Sequence, residues 1–162
     1  MASYSQNDLD RLISCPKRIV TPPHKMMRTE KGHHRNDMEL TTEDGSHVFR
    51  VFMRINERLP ENFSIGLIYL PKDERGEIHL LRYNGPHGEF VRLGVAESHH
   101  VVHHVHRARK ENLDAGKSAE KGAEPTEQFS DYNEALRIFL AEVGVTNAGE
   151  HFADLEPGLF GS

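Results

Sequence analysis

Two stretches of strict alternation constrain this chain more than any other feature. Phe49, Val51, Met53 and Ile55 occupy every second position of one segment, and Phe63, Ile65, Leu67 and Tyr69 repeat the pattern in the next. A period of two sends such side chains to one face of a strand, so each segment reads as a strand with one face in a core. Residues 37 to 41 and 46 to 55 flank Glu43-Asp44-Gly45, and Asp-Gly accepts the positive φ that tight hairpins need, which predicts a first hairpin. On the back of its second strand Arg50 and Arg54 accompany Val48 and Phe52. A turn over residues 73 to 76 leads from the next strand into residues 78 to 83 and predicts a second hairpin.

The ends of the chain read as helical. Ser5 with Asp8 three residues later predicts a capped helix start, Leu9, Leu12 and Ile13 share one face, and Pro16 lies just past the end. Near the other end Ser130 predicts the cap of a helix in which Tyr132, Ala135, Leu136, Phe139, Leu140 and Val143 recur at three- and four-residue steps, ending near Gly144. Residues 21 to 35, broken by Pro22, Pro23 and Gly32, show no period and read as an extended or looping lead-in. Residues 84 to 88 form a loop, 89 to 93 a short strand and 99 to 107 a final strand. Residues 110 to 127 have almost no bulky apolar side chain and read as a mobile loop that builds no core, and 145 to 162 form an acidic tail anchored by Phe152 and Leu155. The predicted fold class is α+β: a mainly antiparallel β-sheet with a short N-terminal helix and an amphipathic C-terminal helix packed on it.

A chain of 162 residues suits one domain spanning 1 to 162. Its apolar runs fall far short of the roughly 20 residues that cross a bilayer, which predicts no membrane association. The N-terminus lacks a basic segment followed by an apolar one, and the single cysteine, Cys15, has no internal partner; both point to the cytoplasm. The net charge of -5 opposes non-specific nucleic-acid binding, yet residues 11 to 58 hold ten Lys or Arg against six Asp or Glu. A local basic face for phosphates, and hence RNA as a partner, is compatible with that distribution.

Chemistry concentrates in histidine. Five of the twelve histidines, His99, His100, His103, His104 and His106, fall within eight residues. On a strand, His100, Val102, His104 and His106 face one way and His99, Val101, His103 and Val105 the other. His104 and His106 are about 6 to 7 Å apart by strand rise and point the same way, which makes a half-site for zinc or another divalent transition metal. His87 in the adjacent loop is the first choice for a third ligand, with His79 and His47 as further candidates. The histidine-triad pattern fails because Val102 stands where its third imidazole belongs, and the His-x-Ser or His-x-Thr repeat of two-histidine phosphoesterases is absent.

The segments Asp8-Leu-Asp-Arg-Leu-Ile-Ser-Cys-Pro-Lys17 and Leu80-Leu-Arg-Tyr-Asn-Gly-Pro-His-Gly88, with the His104-Val-His106 pair before a loop and C-terminal helix, carry a resemblance. In this order the chain resembles a family of small uncharacterised bacterial and prophage proteins with a Leu-Leu-Arg strand, a Gly-Pro-His loop and a His-x-His strand. The chain departs from that pattern in a shortened loop after His87 and in the extra histidines at 99, 100 and 103. The resemblance implies no activity, but it groups Arg82, His87, His104 and His106.

Chemically, that group suits phosphodiester cleavage without a metal. His104 or His106 would deprotonate the attacking hydroxyl, His87 would protonate the leaving oxygen, and Arg82 with Arg107 would hold the phosphate. Two classes follow: a toxin-like histidine-based hydrolase or ribonuclease, or a non-enzymatic accessory or regulatory protein whose histidines bind a structural metal or a protein partner.

Overall fold

In the computed structural model, residues 4–73, 76–86 and 102–152 are described. They contain three helices, α1 (Gln6–Ser14), α2 (Lys110–Asp114) and α3 (Tyr132–Glu142), and a 3-10 turn at Ala148–Glu150. The strands are β1 (Arg18–Thr21), β2 (Arg28–Glu30), β3 (His33–Thr41), β4 (Val48–Asn56), β5 (Phe63–Leu70), β6 (Ile78–Asn84), β7 (His104–Arg107) and β8 (Glu124–Pro125). They make one sheet in the order β1-β3-β4-β5-β6-β7-β8, every neighbour antiparallel, with β2 beside the first half of β3 and β1 beside its second half. The protein is α+β with a mainly antiparallel sheet, as the alternation predicts.

The alternating residues do build the core. Phe49, Val51, Met53, Ile65 and Leu67 are at most 1 % exposed, and they cluster with Leu9, Leu12 and Ile13 of α1 and with Leu136, Phe139 and Leu140 of α3. Helix α1 has nine residues, too few to persist alone in water, where about 12 to 15 are marginal. Its stability comes from that buried face and from a full capping box, with Ser5 Oγ accepting from Asp8 N and the Asp8 carboxylate accepting from Ser5 N. In the β3–β4 turn Asp44 Oδ1 accepts from Ser46 N, Ser46 Oγ and Thr42 Oγ1. Hydrogen bonds from Ser46, then from Thr42, pull its carboxyl down to about 2.

Four local readings change. The lead-in expected over 21–35 contains β2 and the start of β3, joined by Lys31 and Gly32 at φ 51° and 81°. Two successive positive φ values match the twist of a hairpin, and lysine there gives no compositional signal of it. The last helix is capped by Asp131, which accepts from Glu134 N at 2.8 Å, while Ser130 donates through N and Oγ to Glu134 Oε1. The stretch 110–127 carries α2 and β8 and buries Ala119 and Glu120 at 4 % and 7 % exposure. Hydrogen bonding shapes it where apolar mass is missing: Asn112 Nδ2 donates to the carbonyls of Ala119 and Lys121. The strand expected over residues 99 to 107 is β7 from His104; residues 102 and 103 precede it, and 99 to 101 lie outside the described residues, as does the short strand expected at 89 to 93. Most of the expected acidic tail also lies outside them.

The two helix C-termini meet at one buried side chain. Lys17 is 0 % exposed, and its Nζ donates to Ile13 O at 2.7 Å, Cys15 O at 2.9 Å and Val143 O at 2.8 Å while lying 4.8 Å above the Phe49 ring. An ammonium has three N–H groups, and all three are used. Helix ends leave carbonyls without partners and carry partial negative charge, so one cation serves α1 and α3 together. The backbone closes around it: Lys17 N donates to Gly144 O, Thr146 N donates to Lys17 O, and the Asn147 side chain pairs with both backbone groups of Ile19. Gly144, at φ 76°, is pressed against this junction, where a Cβ would lie 2.7 Å from Cys15 O.

Among the described residues no helix is long and apolar enough to cross a membrane.

Candidate functional site on the open sheet face

Both long helices pack on one face of the sheet, so the chemistry-bearing side chains collect on the other. Cross-strand register arranges them in rows, because residues paired directly across antiparallel strands share a face. One row runs Arg28, Arg35, Arg54, Ser64, Asn84, His104 from β2 to β7. The next runs Asp37, Phe52, Gly66, Arg82, His106 from β3 to β7. A bulge between Leu67 and Ile68 then brings His79 to this side opposite Ile68.

The second row depends on Gly66. A Cβ there would fall 2.2 Å from Phe52 Cε1, so the Phe52 ring lies across the glycine and is 8 % exposed. Arg54 stacks over that ring at 5.0 Å. At the end of β6, Gly85 N donates to Phe63 O, and a Cβ on Gly85 would stand 1.8 Å from Glu61 O. Backbone cannot yield there as a side chain can, so Gly85→Ala is expected to cost about 1–3 kcal/mol in urea unfolding. An unchanged midpoint would mean that the β4–β5 loop shifts freely.

His104 and His106 come together as their spacing predicts, with ring centroids 5.1 Å apart at 76°. His104 is 0 % exposed and its Nδ1 faces Val102 O at 3.0 Å; the Nδ1 of the half-buried His106 faces Glu120 O at 3.2 Å. A carbonyl accepts, so Nδ1 is the donor in each of these two contacts. Arg82, paired across from His106, holds Nη1 3.6 Å from Glu120 Oε1, and His79 Nδ1 is 3.8 Å from the same oxygen. The Nε of Arg82 and the Oε2 of Glu120 are buried and have no hydrogen-bond partner among the described residues.

The remaining candidates are dispersed. Arg107 alternates to the helix side, where it and the Tyr83 hydroxyl both bond Glu142 of α3. Burial works against the Arg107 charge, but the Glu142 bond and charge outweigh it and raise its pKa. Tyr83 is held neutral well above the usual phenol range, first by burial and then by its bond to Glu142. His47 sits at the far end of the first hairpin, bonded to Ser46 Oγ and 5.7 Å from the Tyr69 ring. His103 turns inward against Phe63 and Phe129. His87, His99 and His100 lie outside the described residues.

Among the described residues no group of three His, Cys, Asp or Glu side chains is arranged to hold a metal ion. His104 and His106 each turn Nδ1 to a carbonyl, and two imidazoles are fewer than the three protein ligands that a catalytic zinc takes. Glu120 is the site residue that sequence reasoning missed. It lies in a segment without hydrophobic periodicity, and its nearness to Arg82 follows from how that loop folds back over β6 and β7.

The fold and site thus define an α+β protein with helices on one sheet face and a histidine and arginine array on the other. No protein-family model, curated protein or solved structure matches the chain.

Proposed function

We propose that this chain is a histidine-based hydrolase acting on phosphodiesters, RNA above all, of the small cytoplasmic bacterial and prophage kind that its motifs resemble. The pairing of His106 with Arg82 across β6 and β7 carries the reading, since it sets a half-buried base beside a guanidinium on the open face. His106 Nε2 takes the proton from the attacking hydroxyl, and the hydroxyl oxygen attacks phosphorus. Arg82 stabilises the charge that builds on the phosphoryl oxygens. His87 fills the role of acid to the leaving oxygen. His104, fully buried, is a positioning residue whose ring packs edge-on to that of His106. In this assignment Arg107 has no part, because Glu142 holds it on the helix side.

The test is cleavage of single-stranded RNA and of a nitrophenyl phosphodiester by metal-stripped protein, repeated with added zinc. Turnover that survives stripping supports the histidine mechanism, and turnover that returns only with zinc moves the reading to a metal site completed beyond His104 and His106. No turnover in either condition removes the enzymatic reading. The pairing of Arg82 with Glu120 and the full burial of His104 favour a second reading, an accessory or regulatory protein that binds a partner without chemistry.

A further inference from the structure

The first cross-strand row contains an arrangement that the histidine chemistry does not use. Arg35 and Arg54 are paired directly across β3 and β4, and like charges in that relation repel. Arg28 lies across from Arg35 on the other side, and Arg82 is a further positive neighbour of Arg54. Arg28 and Arg35 keep long ion pairs to Glu30, at 3.6 and 3.8 Å. Arg54 rests on the Phe52 ring; burial first and then Arg35 lower its pKa, against the nearby Asp37 carboxylate, which favours its charge.

A cavity of about 190 Å³ opens between these side chains, lined by Arg35, Arg54, His33, Asn62, Ser64 and Asn84 together with Phe63. Its lining includes no acid. Asn84 is 5 % exposed, and its Oδ1 is buried without a hydrogen-bond partner among the described residues. The volume is below the roughly 300–1,000 Å³ of pockets that enclose a whole drug-sized ligand, so the cavity suits one group of a molecule.

We infer that this cavity is a binding site for a phosphate group, held by Arg54 and Arg35 with Ser64 and Asn84. Two guanidinium forks approach from adjacent strands and offer more N–H donors than the two coplanar oxygens of a carboxylate can use; a tetrahedral phosphate presents oxygens to both. Ser64 adds a hydroxyl donor on the neighbouring strand. Asn84 Oδ1 accepts from a hydroxyl, either the P–O–H of a hydrogen phosphate or a sugar hydroxyl beside the phosphate. The bound anion also removes the repulsion between the paired arginines. This site stands whether or not His106 turns substrate over.

The shared chemistry is phosphate, and its source is separated by three probes titrated calorimetrically at fixed, low salt: inorganic phosphate, a nucleoside 5′-monophosphate and a short single-stranded RNA. Saturable binding is expected for at least one of the first two. Arg54→Gln and Arg35→Gln are each expected to weaken it about tenfold or more, the usual scale for a charged hydrogen bond. Arg50→Gln, on the same face but outside the cavity and paired with Glu77, is expected to leave it unchanged. Arg54→Lys retains the charge and loses the fork, so it keeps the test available if Arg54→Gln does not fold; it too is expected to weaken binding. Tighter binding of the monophosphate assigns the site to phosphomonoesters, and tighter binding of RNA assigns it to a strand phosphate. Failure of all three probes to saturate overturns the inference. So does equal weakening by Arg50→Gln, which is the behaviour of diffuse surface charge.

Discussion

Replacing Lys17 with methionine is expected to lower the stability of the fold by about 3 kcal/mol at neutral pH, a fall in Tm of roughly 6–12 °C for a chain of this length. Methionine fills a similar volume but donates nothing, so the carbonyls of Ile13, Cys15 and Val143 lose their common donor. Leaving a buried acceptor unsatisfied costs about 1–3 kcal/mol each, which sets a gross loss of roughly 3–9 kcal/mol. The offset comes from no longer burying a charge: desolvation pushes the Lys17 ammonium down to about 8 from 10.5. That difference corresponds to about 3 kcal/mol, which the substitution recovers.

The same residue predicts a pH signature. Between pH 8 and 10.5 the unfolded chain holds the lysine proton more tightly than the folded one, so the Lys17 contribution becomes more favourable as pH rises through that window. The stability gap between wild type and Lys17→Met should therefore widen by up to about 3 kcal/mol over that range. Tyr83 and Tyr132, both raised by burial, act in the opposite direction above their ordinary value of 10, but they are common to both proteins and cancel in the difference. Denaturant melts of the two proteins at pH 7, 8.5 and 10 measure it. Equal stability at pH 7 would show that the helix ends find other donors and that Lys17 is dispensable.

The largest effect on activity is expected at His106. If His106 Nε2 is the base, His106→Ala should lower phosphodiester cleavage by about 100- to 10,000-fold, the usual contribution of a positioned proton-transfer group. Thermal unfolding should change little by comparison, since the ring is half-buried and outside the main core. His104→Ala should differ in kind: removing a fully buried ring leaves a cavity, and stability should fall with activity. A His106→Ala protein that cleaves as wild type does would remove His106 from the mechanism, whatever the behaviour of His104.

Periodicity made much of this architecture legible. The alternations at 49–55 and 63–69 and the stepped apolar residues of α3 state which side chains seek a core, and the Ser5 and Asp8 pair marks the start of α1. The parity of the histidines was equally readable: His104 and His106 share a face, and Val105 joins the core between them. Parity also assigns Arg107 to the side away from His106, but its capture by Glu142 depends on where α3 lies.

Local sequence states what each segment does alone, because alternation, caps and turn residues act within a few positions of one another. It therefore indicated the β3–β4 and β5–β6 hairpins, the start of α1 and the two-faced character of the sheet, but neither the β2–β3 hairpin nor the Asp131 cap of α3. Register between strands and the return path of 110–127 are long-range choices, fixed by the packing of the whole chain. They alone align Arg35 with Arg54, set Glu120 beside Arg82, and bring three carbonyls from two distant helices onto Lys17. A sequence in which those residues stand 19, 38 and 126 positions apart contains no local signal of their meeting.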